Sequence, residues 1–269
     1  MQRHNFHTHT RYSDGHDTPR QMIEEAVSRG FTALGFSEHS YAWFESYYSM
    51  SEKGTLANYR ELRSLAAEYR GLIDVWVGVE LDGESGIPRL DYDFIISSVH
   101  EMVRRGVSMP IDSGEDLQKK LVRDLFGRDF VEFAKVYFAS LAEHVARNKT
   151  DIVGHIDLPT KYSLCPEDDP VYRDAAREAV REIVKWCPLF ELNTGAIARG
   201  LRTVPYPAPF LLKEIKDAGG SLIVNSDCHY RAKLAFWFDE AEEYLAANGF
   251  EKAENQKLND RISGVTIWR

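Results

Sequence analysis

Paired metal-binding residues near the two ends of this chain have the spacing that lets a strand present two ligands to one ion. His7-Thr8-His9 lies near the N-terminus, and Asp227-Cys228-His229 lies near the C-terminus. Residues i and i+2 of a β-strand project to the same side, so each motif brings two such side chains together. Both motifs therefore predict metal binding at strands.

Single histidines and a carboxylate end further apolar runs of the sequence. His39 ends the run 32–39, Glu80 ends 75–80, His100 ends 94–100 and His155 ends 152–155. A carboxylate such as Glu80 can bridge two cations through its two oxygens. Zinc generally takes four ligands, so these residues exceed what one ion can use and predict two or three metals. Such a cluster lowers the pKa of a bound water and neutralises phosphoryl oxygens.

Seven short apolar runs carry these residues and predict the strands of a parallel sheet. Mostly apolar runs of this length suit strands that are buried on both faces. The runs cover residues 5–7, 32–39, 75–80, 94–100, 152–155, 189–193 and 222–227. Amphipathic segments between them predict helices, of which the first begins at Thr18-Pro19 and ends at Gly30. The other predicted helices span 55–70, 129–148, 170–186, 208–218 and 239–248.

This alternation predicts an α/β fold, and a distorted (β/α)7 TIM-like barrel is its simplest closed form. An open, doubly wound sheet is the alternative. In a barrel the active site lies at the C-terminal ends of the strands. We expect 264–268 to be an edge strand and 101–116 to be a loop that can cover the site. Because the candidate ligands span residues 7 to 229, we expect residues 1–269 to form one domain.

The composition excludes several classes of partner. The chain has 33 Lys and Arg against 42 Asp and Glu, a net charge of −9, which argues against binding to nucleic acid or to an anionic membrane. No apolar stretch is long enough to span a bilayer. The three cysteines form no CxxC pair, and the N-terminus has no secretory pattern, so we expect a cytoplasmic protein.

The order of these motifs resembles the polymerase-and-histidinol-phosphatase (PHP) superfamily. The resemblance covers nearly the whole chain, and its length is similar to that of the monofunctional histidinol-phosphate phosphatases. The motifs that carry it are His7-Thr8-His9, Ser13-Asp14-Gly15, Glu38-His39, Glu80, Ser98-Val99-His100, Gly154-His155 and Asp227-Cys228-His229.

The resemblance implies three divalent metal ions, with Zn, Mn and Fe all compatible with the ligands. His7, His9, Glu80 and Asp227 would hold one ion, and Glu80 would bridge to a second ion bound by His100 and His155. The third would take His39, His229 and either Asp14 or His16, of which Asp14 is preferred because the Ser-Asp-Gly pattern is intact. The implied metal ligands are His7, His9, Asp14, His39, Glu80, His100, His155, Asp227 and His229.

The implied reaction is hydrolysis of L-histidinol phosphate, a small phosphorylated substrate, by a metal-bridging hydroxide. Glu80, Asp227 and His229 are the expected catalytic residues; His229, Asp227 or a water that they hold would protonate the leaving group. Lys161 and Arg199 follow the fifth and sixth strand runs, where loops lie over the site, and are candidate phosphate-binding residues.

Three other functions compete with this hypothesis. A related phosphoesterase would act on nucleotides or another small phosphomonoester. A metal-dependent amidohydrolase would typically add a bridging Lys at a strand end, and none of the strand runs ends in Lys. A metal-binding protein without catalysis would leave costly buried polar residues unexplained. The aromatic stretch 41–48 after His39 is expected either to stack on the substrate's imidazole or to pack its own loop, and Glu191 and Asn193 are expected to shape the site.

Overall fold

A sheet with seven short parallel strands forms the centre of the protein. The computed structural model describes residues 2–43, 47–85 and 90–269. The strands in chain order are β1 (His4–Asn5), β2 (Ala33–Phe36), β3 (Asp74–Asp82), β4 (Phe94–Ser98), β5 (Glu101–Arg104), β6 (Val107–Pro110), β7 (Ile152–Val153), β8 (Leu189–Asn193), β9 (Ser221–Asn225), β10 (Lys252–Lys257) and β11 (Ser263–Trp268).

The parallel strands follow one another in the order β1-β2-β3-β4-β7-β8-β9, and β11 and β10 extend the sheet beyond β9. The sheet curls until the residues just after its first and seventh parallel strands meet. Thr8 forms a parallel bridge with Cys228 there. The backbone N–H of His9 donates to the carbonyl of Cys228 at 3.0 Å. The predicted fold, a distorted seven-stranded TIM-like barrel, is confirmed.

Helices connect the strands and pack against the outside of the sheet. They are α1 (Pro19–Ser28), α2 (Glu52–Glu68), α3 (Glu115–Phe126), α4 (Phe130–Arg147), α5 (Pro170–Ile183), α6 (Gly195–Ala198), α7 (Pro209–Asp217) and α8 (Phe238–Ala247). Thr18 caps α1 in a reciprocal capping box with Gln21, as the Thr18-Pro19 start signal predicted. Within the described ranges, no helix combines the length and apolarity needed to cross a bilayer.

Large aromatic rings fill the barrel beneath its C-terminal mouth, and glycines make room for them. Phe6, Phe36 and Phe94 are almost completely buried. A Cβ atom on Gly78 of β3 would lie 2.3 Å from the Phe94 ring, and one on Gly35 of β2 would lie 2.8 Å from it. Neither position can accept a larger side chain without moving a tightly packed ring.

Two expectations about the less regular segments were wrong. The segment 101–116 is not a loop: β5 and β6 form an antiparallel hairpin that turns at Arg105 and Gly106, which both have positive φ, and α3 begins at Glu115. Gly106 therefore marks a tight turn. The C-terminal strand exists as β11, but it is not at the edge of the sheet, because the polar strand β10 pairs outside it.

Candidate metal centre

The nine side chains predicted as metal ligands all lie at the mouth formed by the C-terminal ends of the parallel strands. Glu80 lies on β3, Asp14 lies in the loop after β1, and the other seven follow the ends of the strands. Most are buried, and each belongs to at least one group of metal-compatible ligand atoms within 4.8 Å of one another. These groups are His9-Asp14-His39-His229, His7-Glu80-His155, His7-His9-Asp227 and His39-Glu80-His100.

Glu80 lies at the centre of the cluster, with imidazoles facing both of its oxygens. Oε2 is 3.2 Å from His7 Nε2 and 3.0 Å from His39 Nδ1. Oε1 is 3.1 Å from His155 Nε2 and 3.5 Å from His100 Nε2. This is the arrangement that a carboxylate bridging two ions requires, since each oxygen faces a separate set of nitrogen donors.

The loop after β1 brings Asp14 to the cluster and leaves His16 outside it. Asp14 Oδ2 lies 3.1 Å from His229 Nε2, and Asp14 Oδ1 lies 3.7 Å from His39 Nε2. His16 instead stacks on Tyr230 at the rim, with ring centroids 4.0 Å apart. Of the two alternatives for this position, the geometry favours Asp14.

Glu38 holds this loop in place from beneath. Both of its carboxylate oxygens accept the backbone N–H of Thr10 at 3.0 Å, and it also accepts the hydroxyls of Thr10 and Ser13. Gly15 packs against the β1 segment so closely that a Cβ atom there would lie 2.5 Å from the carbonyl carbon of His9. The position of Asp14 is thus fixed on both sides.

Asp227 reaches the centre through an unusual backbone conformation. Its φ of 47° lies in the left-handed region, which residues other than glycine adopt seldom. Its Oδ1 lies 3.3 Å from His9 Nε2, and its Oδ2 accepts Arg199 at 2.8 Å. A Cβ on Gly195 would lie 2.9 Å from both Arg199 and Asp227. A glycine is needed there for this pair to form.

Several polar atoms inside the cluster have no hydrogen-bond partner among the described residues. Those that face other ligand atoms of the cluster are His7 Nε2, both ring nitrogens of His9, His39 Nδ1 and Glu80 Oε2. A buried polar atom without a partner costs about 1–3 kcal/mol, so a group of them in one place needs an explanation. Nitrogen and oxygen donors converging on one space fit divalent metals such as zinc. The residues present therefore fit a divalent-metal centre.

The charges of the cluster are also suited to cations. Burial, followed by repulsion from His229 and His39, lowers the pKa of His9 to about 3, so its nitrogens stay free of a second proton. Burial by itself would raise the pKa of Glu80, but His7, His100 and His39 hold it well below its ordinary value. Burial by itself would lower the pKa of His7, His39 and His100, but the neighbouring carboxylates raise it above the ordinary value, so a metal that bound these nitrogens would displace their protons.

Carboxylates behind the imidazoles fix their orientation. Glu191 Oε2 lies 2.8 Å from His7 Nδ1, and Asp82 Oδ2 lies 2.9 Å from His100 Nδ1. Such contacts determine which ring nitrogen faces a metal. Glu191 was predicted to shape the site, whereas Asp82 was missed. Asp82 lies two residues after Glu80 on β3, and that strand periodicity could have identified it.

A cavity of about 500 Å³ opens over the cluster. Both candidate phosphate-binding residues line it, and both are paired with carboxylates: Lys161 Nζ with Asp112 Oδ2 at 2.7 Å, and Arg199 with Asp227. From the aromatic stretch, Tyr48 packs its edge against His39, and Tyr47 is exposed at the mouth. Residues 44–46 of that stretch lie outside the described residues.

A family model and curated relatives both match this chain. The model of the PHP domain matches residues 5–195. The "Probable histidinol-phosphatase" of Deinococcus radiodurans is 27% identical over 83% of this chain and 85% of its own length. The "Histidinol-phosphatase" of Bacillus subtilis is 25% identical over 89% of this chain and 98% of its own.

A solved structure has the same fold. The histidinol phosphate phosphatase from Lactococcus lactis subsp. lactis, complexed with zinc, L-histidinol and phosphate, superposes with a TM-score of 0.70 at 21% identity. The match covers 93% of this chain and 95% of that one. The resemblance seen in the sequence motifs is confirmed, and this chain belongs to the PHP domain family.

Proposed function

We propose that this protein is a metal-dependent phosphomonoesterase that hydrolyses L-histidinol phosphate to L-histidinol and phosphate. The observation that carries the proposal is the cluster around Glu80, where buried histidine and carboxylate atoms without partners converge beneath an open cavity. The names of the Deinococcus and Bacillus relatives and the ligands bound to the Lactococcus enzyme support this choice of substrate.

The nine residues of the cluster would hold three divalent metals, with Zn, Mn and Fe as candidates. Glu80 would bridge two of the ions, and Asp14 would complete the site with His39 and His229. When bound, the metals supply a nucleophilic water of lowered pKa and neutralise charge on the phosphoryl oxygens. Glu191 and Asp82 hold the His7 and His100 rings in the orientation that this binding requires.

Lys161 and Arg199 would bind the phosphate oxygens that project into the cavity. Arg199 has five N–H donors; its Nη2 donates to Asp227 Oδ2, and its Nη1 contacts the Asp227 carbonyl and His229 Nδ1. Lys161 has three donors and uses one on Asp112. Each cation therefore retains donors for the substrate. The carboxylates that pair with them fix the two long side chains before the substrate binds, which reduces the entropy lost on binding.

The leaving oxygen of histidinol is a basic alkoxide and needs a proton. Asp227 and His229 line the cavity, and the His229 ring lies between Asp14 and Arg199. Arg199 holds the pKa of Asp227 well below its ordinary value despite burial, so His229, or a water held by His229 and the Asp227 carboxylate, would deliver the proton to the leaving oxygen. Glu80, Asp227 and His229 are the residues to which we assign catalytic roles.

Phosphate release from L-histidinol phosphate is the direct test. The purified protein should release phosphate, lose that activity after exhaustive chelation, and regain it when Zn²⁺, Mn²⁺ or Fe²⁺ is added back. Metal analysis of the active form should give about three ions per chain. Full activity in a preparation shown to be metal-free would contradict the proposal, as would no activity in a fully loaded one.

A further inference from the structure

Asp112 is an acidic residue that lines the cavity but is not one of the candidate metal ligands. Three acids line the cavity among the described residues: Asp14, Asp112 and Asp227. Asp14 and Asp227 belong to the metal-compatible groups, and Asp112 belongs to none of them. A carboxylate that faces a phosphate-binding cavity would repel the phosphate, so its presence there needs a reason.

Asp112 is held firmly next to the metal centre. It follows the β5–β6 hairpin, and the N–H of the preceding Ile111 donates to the carbonyl of His100 at 2.8 Å. The Tyr162 hydroxyl donates to the carbonyl of Asp112. The Gln118 side chain donates to the carbonyls of both Ile111 and Pro159, and so ties this segment to the one that carries Lys161.

The side chains of Asp112 and Lys161 form a pair of opposite charges at the cavity wall. Lys161 Nζ lies 2.7 Å from Asp112 Oδ2, and both side chains are largely buried. A carboxylate has about four acceptor positions and an ammonium has three donors, so one mutual bond leaves capacity on each. The pair can therefore accept a ligand's cation on Asp112 while donating to its anion through Lys161.

The chemistry of the proposed substrate matches this pair. In L-histidinol phosphate, the phosphate ester and the ammonium group are on adjacent carbon atoms. A ligand with neighbouring negative and positive groups is complementary to a Lys and an Asp whose charged atoms are in contact. A simple phosphomonoester has no cationic group to occupy the acceptor positions of Asp112 that Lys161 leaves open.

We propose that Asp112 binds the substrate's ammonium group and makes the enzyme selective for 2-aminoalkyl phosphates. This inference rests on the proposed function. Lys161, bonded to the same carboxylate, binds the adjacent phosphate. Asp112 is thus a specificity-determining residue, separate from the metal ligands.

The test combines one substitution with one change in the substrate. Metal-loaded wild type and Asp112→Asn are compared on L-histidinol phosphate and on 3-(imidazol-4-yl)propyl phosphate, which lacks only the amino group. In the wild type, kcat/KM should favour the amino ester by about 10- to 100-fold, the usual effect of a hydrogen bond to a charged group. In Asp112→Asn, which keeps an acceptor for Lys161, the preference should fall to within about threefold of unity.

Glu115→Gln is the matched control, because it removes the same charge three residues away. Glu115 is an exposed residue at the start of α3 that pairs with Lys119, and it does not line the cavity. This variant should keep the wild-type preference. The metal content of Asp112→Asn should match that of the wild type.

Distinct results would overturn each proposal. If Asp112→Asn slows both esters equally, Asp112 only positions Lys161, and the inference is wrong. A wild type that hydrolyses both esters equally well also overturns the inference, whatever the variant does, while the phosphatase proposal survives. If loaded wild type hydrolyses neither ester, the proposed function fails, and the inference falls with it.

Discussion

At the scale of single residues, Glu80 is the carboxylate shared by two of the metal-compatible groups. His7 and His39 face one of its oxygens, and His100 and His155 face the other. His7 Nε2, His39 Nδ1 and Glu80 Oε2 have no hydrogen-bond partner among the described residues, and such buried atoms are expensive unless something binds between them. In the proposed metal site, binding would depend on this one carboxylate.

We predict that Glu80→Ala loses metal and turnover together. Without the carboxylate, imidazoles from four strand ends no longer share a ligand, and kcat should fall by about 10³-fold or more. Metal analysis and phosphate release on the same sample check this. Retained metal stoichiometry would show that Glu80 does not bridge.

A second residue-scale prediction concerns the orientation of His7. Glu191→Ala removes the acceptor at His7 Nδ1 and should weaken metal affinity by about 10- to 100-fold, as the loss of such supporting carboxylates does elsewhere. Competition with a chelator measures the affinity. Glu182→Ala, at an exposed position of α5, is the control and should leave affinity unchanged. Equal affinities in the two variants would remove Glu191 from this role.

The sequence predicted that the candidate ligands would lie together because all of them except Asp14 stand at or just after the end of an apolar run. It could not predict which charged side chains lie behind or beside them. Asp112 follows a hairpin in the segment that we expected to be a loop, and only the fold brings it to Lys161. Whether Asp14 or His16 faces the cluster likewise depends on how the loop after β1 is tied to Glu38.

At the scale of elements, the short connections after the strands determine the geometry of the site. The loop after β1 carries Asp14, and the hairpin after β4 brings Asp112 to the cavity. The pattern of polar and apolar residues does not predict the conformation of either segment. Their conformations depend on tight turns and on contacts with other loops. The apolar strands were predicted well, whereas β10 was missed because its residues are polar and largely exposed.

We predict that Gly15→Ala displaces the loop that holds Asp14. The added methyl group would lie 2.5 Å from backbone atoms of His9, and such overpacking costs about 1–3 kcal/mol. The variant should bind less metal and have a lower thermal midpoint. Gly54→Ala is the control, since its methyl group would meet the Ser51 hydroxyl at 3.1 Å and Met50 Cβ at 4.0 Å, and no backbone atom. A Gly15→Ala protein with unchanged metal content would contradict this account of the loop.

At the scale of the whole molecule, the site can form only when distant parts of the chain come together. The cluster joins His7 to His229, and the bridge between Thr8 and Cys228 brings the two ends of the parallel sheet together beside it. The chain carries a net charge of −9, and three divalent cations would offset about six of those charges at one mouth of the barrel. Bound metals would thereby make an acidic protein attractive to a phosphate ester.

We predict that residues 1–269 unfold as one domain whose stability depends on metal. Far-ultraviolet circular dichroism and tryptophan fluorescence should report the same single thermal transition. Chelation should lower its midpoint, because ions that bind only the folded state stabilise it by mass action. Two separate transitions would contradict the single domain, and a midpoint unaffected by chelation would contradict the structural role of the metals.

The specificity constant for L-histidinol phosphate tests the central proposal most directly. With one metal-loaded preparation, kcat/KM is measured for L-histidinol phosphate, for AMP and for p-nitrophenyl phosphate. We predict that L-histidinol phosphate exceeds both of the others by about 100-fold or more, since only it can satisfy the metals, the cations and Asp112 together. Equal values for the three esters, or a preference for AMP, would contradict the proposal.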